Sequence, residues 1–155
     1  MNVKETNYSM VTKQLSSLIE GETNLIAILS NTSALLNDAL DQVNWVGFYL
    51  IEGNELILGP FQGQPACVHI AIGKGVCGTA VSENTTQRVS DVHQFPGHIA
   101  CDANSQSEIV VPVRINNEVI GVLDIDAPIK DRFSQEDQDG LEQIVHILEK
   151  QLSQS

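Results

Sequence analysis

All three cysteines of this 155-residue chain, Cys67, Cys77 and Cys101, fall in one stretch with three of its four histidines, His69, His93 and His98. A thiolate is a nucleophile, a metal ligand and a disulfide partner, so chemistry is sought here first. Nine and twenty-three residues separate successive cysteines, which is not the paired spacing of structural zinc sites, and no metal is expected. An odd number of thiols cannot all pair within one chain. Cys101 sits in a polar loop, SDVHQFPGHIACDANSQ (90–106), where packing gives no reason for a small apolar side chain. Loops of that length in a compact domain are usually functional or disordered, and Cys101 is the candidate nucleophile. Cys67 and Cys77 read equally as small buried hydrophobes or as further thiols of the same site.

Carboxylates form a second group. Asp124 and Asp126 are two apart on an apolar strand (118–128), so they share a face with Ile120 and Val122. Glu108 opens the preceding strand (107–115) and can lie across from them. Buried carboxylates are costly unless something pairs with them. Three together repel, so at least one pKa rises toward neutrality. A protonated carboxyl donates a proton, while ionised neighbours hold an ammonium. Spacing serves equally well the competing reading, in which these acids end the strand in solvent.

An aromatic strand and a glycine turn complete the inventory. In VNWVGFYLIE (43–52), Val46, Phe48 and Leu50 make one apolar face suited to a helix layer. Trp45, Gly47 and Tyr49 make the other, which fits plain core or, by a small margin, a pocket floor with room above Gly47. Gly73, Gly75 and Gly78 match G-x-G-x-x-G, but the helix that follows has room only from about Val76 to Glu83, and no buried parallel strand comes next. A dinucleotide site is excluded. A tight turn feeding a short helix is expected instead, with N–H groups able to hold a small anion such as a carboxylate.

The positioning elements follow from periodicity. Residues 3–20 carry Tyr8, Val11, Leu15, Leu18 and Ile19 at helical spacing, with Gly21 as a C-cap. Residues 24–40 repeat the pattern with Leu25, Ile28, Leu29, Thr32, Leu36 and Leu40, capped by Thr23. Strands are expected at 43–52, 55–60, 67–72, 107–115 and 118–128, with turns at Gly53-Asn54 and Asn116-Asn117 and a loop over 60–66. Ser134 caps a last helix whose stripe is Leu141, Ile144, Val145, Leu148 and Leu152. The whole span 1–155 reads as one domain. A net charge of −12 with only 8 Lys and Arg excludes nucleic-acid and anionic-membrane binding. MNVKETNYSM has no apolar signal region and no run approaches a membrane span, so a cytoplasmic location is expected.

The order of elements resembles a GAF domain. Within that fold NWVGFYL (44–50), GPFQGQPAC (59–67), GKGVCGTA (73–80), HQFPGHIACD (93–102), SEIVVPV (107–113) and GVLDID (121–126) resemble the free methionine-R-sulfoxide reductases. The resemblance implies an α+β fold: a central antiparallel sheet of about six strands, N- and C-terminal helices on one face and a substrate pocket on the other. It implies that Cys101 is the catalytic cysteine, Cys67 its resolving partner and Cys77 an auxiliary third. Trp45 and Tyr49 would wall the S-methyl end of the substrate. Glu108, Asp124 and Asp126 would grip the sulfoxide oxygen and the free amino group, with Glu108 as proton donor. It further implies a cycle through sulfenic acid and disulfide without a prosthetic group, regeneration by a thioredoxin–NADPH system, and a homodimer. The rival readings are a GAF sensor that binds a small ligand without turnover, a thiol redox switch, and a zinc protein.

Overall fold

The computed structural model describes residues 2–98, 101 and 103–154. Ile99, Ala100 and Asp102, within the expected 90–106 loop, lie outside the described residues. Two helices, α1 (Tyr8–Leu18) and α2 (Leu25–Ala39), precede the hairpin β1 (Trp45–Glu52) and β2 (Glu55–Gly63). Then come β3 (His69–Ala71), α3 (Gly75–Glu83), β4 (Gln87–Val89) and a single 3-10 turn (Val92–Gln94). The hairpin β5 (Ser107–Ile115) and β6 (Glu118–Ala127) and the helix α4 (Gln135–Leu152) close the chain. The six strands form one sheet in the order β3-β2-β1-β6-β5-β4, antiparallel throughout.

Alternation along β1 sorts its side chains as expected. Val46 and Phe48 join Ile109, Val111, Leu123 and Ile125 in the core that α1, α2 and α4 cover. Trp45 and Tyr49 join Ile70, Val76, Cys77, Val110 and Val122 on the opposite face. The capping chemistry fits the helix starts. Asn7 accepts from the Met10 N–H (3.1 Å) at α1, and at α2 the cap is Asn24, which accepts from Ala27 (2.9 Å), rather than the expected Thr23. Ser134 and Asp137 form a capping box at α4. Asp137 also takes the Arg132 guanidinium (3.0 Å) and the Tyr8 hydroxyl (2.7 Å), while Arg132 Nε donates to the Asp41 carbonyl (2.7 Å). This buried ion pair is therefore hydrogen-bonded at several points, which offsets its desolvation. It ties α1, α4 and the end of α2 together. Tyr8 lies so close to Gly140 that a Cβ there would meet its ring at 2.3 Å.

Three local expectations change. β2 runs on to Gly63 through the expected loop, because Phe61 pairs with Gly47 across the hairpin. β3 covers only His69–Ala71, which leaves Cys67 off the strand. β4 has three residues, too few to leave a periodic signal, and forms because it pairs with Val110, Ile109 and Glu108 of β5. Arg88 of β4 is anchored to Gln138 of α4 (3.0 Å) and to the Phe133 carbonyl just before that helix (3.2 Å). That edge strand makes β5 an inner strand and so helps bury Glu108.

Candidate active site

The site is built in rows across the face opposite the three long helices. Directly paired residues of antiparallel strands point to the same side. Glu108 pairs with Asp126, and Asp126 with Trp45, so these three form one row across β5, β6 and β1. Val110, Asp124 and Gly47 form the next. The β5–β6 hairpin needs an irregularity to achieve this. Asn116 and Asn117 both take left-handed φ (53° and 67°), as a two-residue turn demands. Continued regularly from Ile115–Glu118 and Arg114–Val119, the ladder would set Glu108 opposite Ile125, on the helix side. A bulge between Val113 and Arg114 shifts the register by one and brings Glu108 opposite Asp126. The same bulge moves Ile120 to the helix-side core, so it does not share the face of Val122, Asp124 and Asp126 as strict alternation predicts.

Above these rows lies a cavity of about 40 Å³, room for a few waters at most. β1 contributes Trp45 and Tyr49, β5 Glu108, and β6 Asp124 and Asp126. The turn and first residues of α3 contribute Lys74, Gly75, Val76 and Cys77, and the long loop contributes His98, Cys101 and Ser105. Cys67 and Cys101 are joined in a disulfide, Cα–Cα 5.3 Å, across 34 residues of sequence. Cys77 is free and buried.

The aromatic wall is held from behind. Trp45 stacks between Phe61 (centroids 5.2 Å) and Tyr49 (5.8 Å), and its indole N–H donates to the Gln64 carbonyl (3.1 Å). The expected room above Gly47 is absent: a Cβ there would meet Phe61 Cβ at 2.3 Å and the Trp45 ring at 2.8 Å. Gly47 admits Phe61 rather than a ligand. The Tyr49 hydroxyl donates to the Cys67 carbonyl (2.9 Å), which fixes the backbone of one disulfide partner. Burial, then the charge of Asp124, pushes that hydroxyl far above the usual phenol range, so it remains a donor.

All three carboxyls are pushed well above the usual range, in each case chiefly by burial. The next cause is the charge of Asp124 for Glu108, of Asp126 for Asp124, and of Glu108 for Asp126. Each neighbour resists the ionisation of the others, so the cluster holds its protons to higher pH than isolated carboxyls do. Ser105 donates to Asp126 Oδ2 (3.2 Å) and is itself met by the Asn44 side-chain amide (3.3 Å). Among the described residues, Oδ1 of Asp124 and Oδ1 of Asp126 are buried without a hydrogen-bond partner, which is costly unless a ligand meets them. Lys74, the N-cap of α3, makes no side-chain cap hydrogen bond, and the helix start it precedes lines the same cavity. That places a helix N-terminus, an end that favours negative charge, in the same cavity as the acids.

The other candidate ligands do not gather into a zinc site. His69 is exposed and paired with Glu55 (3.0 Å) on β2. His93 and His98 meet edge to face with centroids 6.3 Å apart. His98 is pushed down, chiefly by burial and then by His93, and so favours the neutral form. The group among the described residues that could hold a metal is Cys77, Glu108 and Asp124, whose ligating atoms lie within 4.8 Å of one another. The thiols, aromatic residues and carboxylates singled out from the sequence, Cys67, Cys77, Cys101, Trp45, Tyr49, Glu108, Asp124 and Asp126, come to this one place. Phe61, Lys74 and Ser105 were not singled out, and His98 figured only as a possible metal ligand. Lys74 lies inside the glycine motif and His98 within the loop quoted for Cys101, whereas nothing in the local sequence marks Ser105.

The GAF domain family matches over residues 24–152. The free methionine-R-sulfoxide reductase of Escherichia coli (strain K12) is 55% identical over 146 residues, covering 94% of this chain and 88% of that protein. The reduced form of fRMsr from Staphylococcus aureus superposes with a TM-score of 0.96 at 70% identity, covering 98% of this chain and 99% of that one. The free methionine-R-sulfoxide reductase of Neisseria meningitidis, in complex with its substrate, gives a TM-score of 0.92 at 40% identity, covering 99% and 96%. With this fold, these relatives and a paired thiol over a carboxylate floor, the chain belongs to the GAF-domain family of free methionine-R-sulfoxide reductases.

Proposed function

We propose that this chain reduces free methionine-R-sulfoxide to methionine by thiol chemistry at Cys101. The observation that carries the reading is the Cys67–Cys101 disulfide beside a cavity that has an aromatic wall and a floor of buried, partly unsatisfied carboxyls. In the reduced protein the Cys101 thiolate attacks the sulfoxide sulfur while the Glu108 carboxyl donates a proton to its oxygen. The oxygen then passes from the substrate sulfur to the Cys101 sulfur: the substrate S–O bond and the transient S–S bond break as an S–O bond forms on the cysteine, which releases methionine and leaves Cys101 as a sulfenic acid. The Cys67 thiol then displaces that oxygen as water and forms the disulfide. An external dithiol, thioredoxin in our reading, returns both thiols and draws its electrons from NADPH. No prosthetic group enters this cycle.

The free amino acid is selected because both of its ends are read. Asp124 and Asp126 receive the ammonium, and the start of α3 with Lys74 receives the carboxylate. In a peptide the ammonium is gone and buried carboxylates go unpaired, a penalty a hydrogen-bonding site turns into strong discrimination. The methyl group packs on Trp45 and Tyr49. A methyl-sized contact is worth only about 1–3 kcal/mol, so selectivity for the R form also needs the oxygen directed at Glu108. The cavity beside the disulfide holds only a few waters, so reduction precedes substrate binding in this cycle.

With thioredoxin, thioredoxin reductase and NADPH, the protein is expected to oxidise NADPH with the R diastereomer of free methionine sulfoxide. The S form and peptide-bound sulfoxide should be slower by about 10²-fold or more. Failure of reduced, folded protein to turn over the R form would return the chain to the sensor or redox-switch readings. A homodimer would cover Met10, Leu18 and Ile26, exposed on α1 and α2; sedimentation as a monomer at micromolar concentration would dismiss it. No helix among the described residues is long and apolar enough to cross a membrane, and a cycle that depends on reduced thiols suits the cytoplasm.

A further inference from the structure

We propose that Cys77 is a positioning residue for the ammonium end of the substrate, its thiol holding the Asp124 carboxyl in the cavity floor without joining the electron transfer. This rests on the reductase reading given above. Cys77 lies in the first turn of α3 and is 5% exposed. The helix has no freedom to swing it away: a Cβ on Gly78 would come within 2.5 Å of the Ala71 carbonyl oxygen, so α3 sits directly on the end of β3. Cys77 Sγ and carboxylate oxygens of Glu108 and Asp124 lie within 4.8 Å of one another, which puts the thiol beside the Asp124 carboxyl.

Asp124 is 5% exposed, yet its Oδ1 has no partner among the described residues. The thiol is thus a donor beside a carboxyl that has an unsatisfied buried oxygen, in the lining of the cavity where the substrate's ammonium must be received. A thiol suits that position because it is small enough for the space and is a donor. Burial, and then the charges of Asp124 and Glu108, also keep its proton on, which makes it a poor nucleophile. The disulfide closes without it.

The test compares wild type with Cys77→Ala and Cys77→Ser on free methionine-R-sulfoxide and on its N-acetyl derivative, which lacks the ammonium. Free thiols are counted after a single turnover. Wild type is expected to lose two of three thiols and each variant two of two. Cys77→Ala should raise KM for the free amino acid about tenfold, the scale of one lost hydrogen bond, with a smaller change in kcat. It should lower the kcat/KM ratio of free to N-acetylated substrate by a similar factor, and Cys77→Ser, which keeps a donor, should restore most of that ratio. A merely structural thiol would leave the ratio unmoved, and an unmoved ratio overturns the proposal. So does a variant that forms no disulfide in a single turnover. If Cys77→Ala does not fold, Cys77→Val refills the volume without a donor and carries the same comparison. Absence of wild-type turnover, by contrast, would sink the reductase reading itself.

Discussion

Replacing Cys101 by serine is expected to remove sulfoxide reduction altogether, whereas replacing Cys67 by serine should stop the enzyme after one half-reaction. A serine hydroxyl is not ionised near neutrality and is a far weaker nucleophile toward sulfur. The loss in kcat for Cys101→Ser should be on the order of 10⁴–10⁶-fold, the scale on which nucleophile removal costs enzymes. In Cys67→Ser the attacking thiol, the aromatic wall and the carboxylates all remain, so one methionine should be released per protein. The cycle then halts because the thiol that is paired with Cys101 in the structure is gone. Cys67 and Cys101 are already within bonding geometry, while Cys77 is held buried against Asp124. Rapid quench with mass spectrometry checks both halves. A stoichiometric burst with one added oxygen trapped on Cys101 is the expected result. A Cys67→Ser protein that gives no burst, or that forms a Cys77–Cys101 disulfide at the wild-type rate, would reassign the resolving thiol.

Some of this site can be read from the sequence because it depends on short periods. β1 alternates cleanly, so the separation of Val46 and Phe48 from Trp45 and Tyr49 follows from spacing alone. The helix stripes are equally legible: Leu141, Ile144, Val145, Leu148 and Leu152 are all buried. The meeting of Glu108 with Asp126 is different. The Asn116-Asn117 turn specifies a hairpin, but its regular register turns Glu108 to the wrong face, and the bulge that corrects it leaves no mark that periodicity detects. Phe61 is hidden in an apparent loop because its strand is specified by contact with Gly47 and Trp45, not by its own pattern. The Cys67–Cys101 pairing spans the α3 crossover and is foreshadowed by family resemblance alone. Long-range juxtapositions of this kind are the result of folding and have no local signal.

Glu108→Gln is expected to cripple the enzyme and stabilise the protein at the same time. The carboxyl is 7% exposed, and burial, then the charge of Asp124, drives its pKa well above the usual carboxylate range. An acid with a raised native pKa binds more protons folded than unfolded. Its contribution to stability is therefore fully present below the unfolded pKa and is lost as pH rises through the native one. Between the ordinary carboxylate range and those raised values, the wild-type protein should lose stability steadily as Glu108, Asp124 and Asp126 approach ionisation together. Glutamine keeps the shape and a hydrogen-bond donor but cannot ionise. It should flatten part of that slope and raise stability at pH 7–8 by about 1–2 kcal/mol, roughly 2–8 °C in Tm for a domain of this size. The amide can still bind the sulfoxide oxygen but cannot give it a proton, so kcat should fall about 10²–10⁴-fold while KM changes little. The alkaline limb of the kcat/KM profile, where Glu108 loses its proton, should disappear. Thermal melts from pH 5 to 9 alongside the pH–rate profile test both parts. If the variant keeps the wild-type alkaline limb, the proton comes from Asp124 or Asp126 instead. If it is no more stable than wild type at pH 8, the carboxyl is compensated by a partner outside the acid cluster. Together the two effects would mean that the fold tolerates a destabilising carboxyl at Glu108 because the sulfoxide oxygen needs its proton.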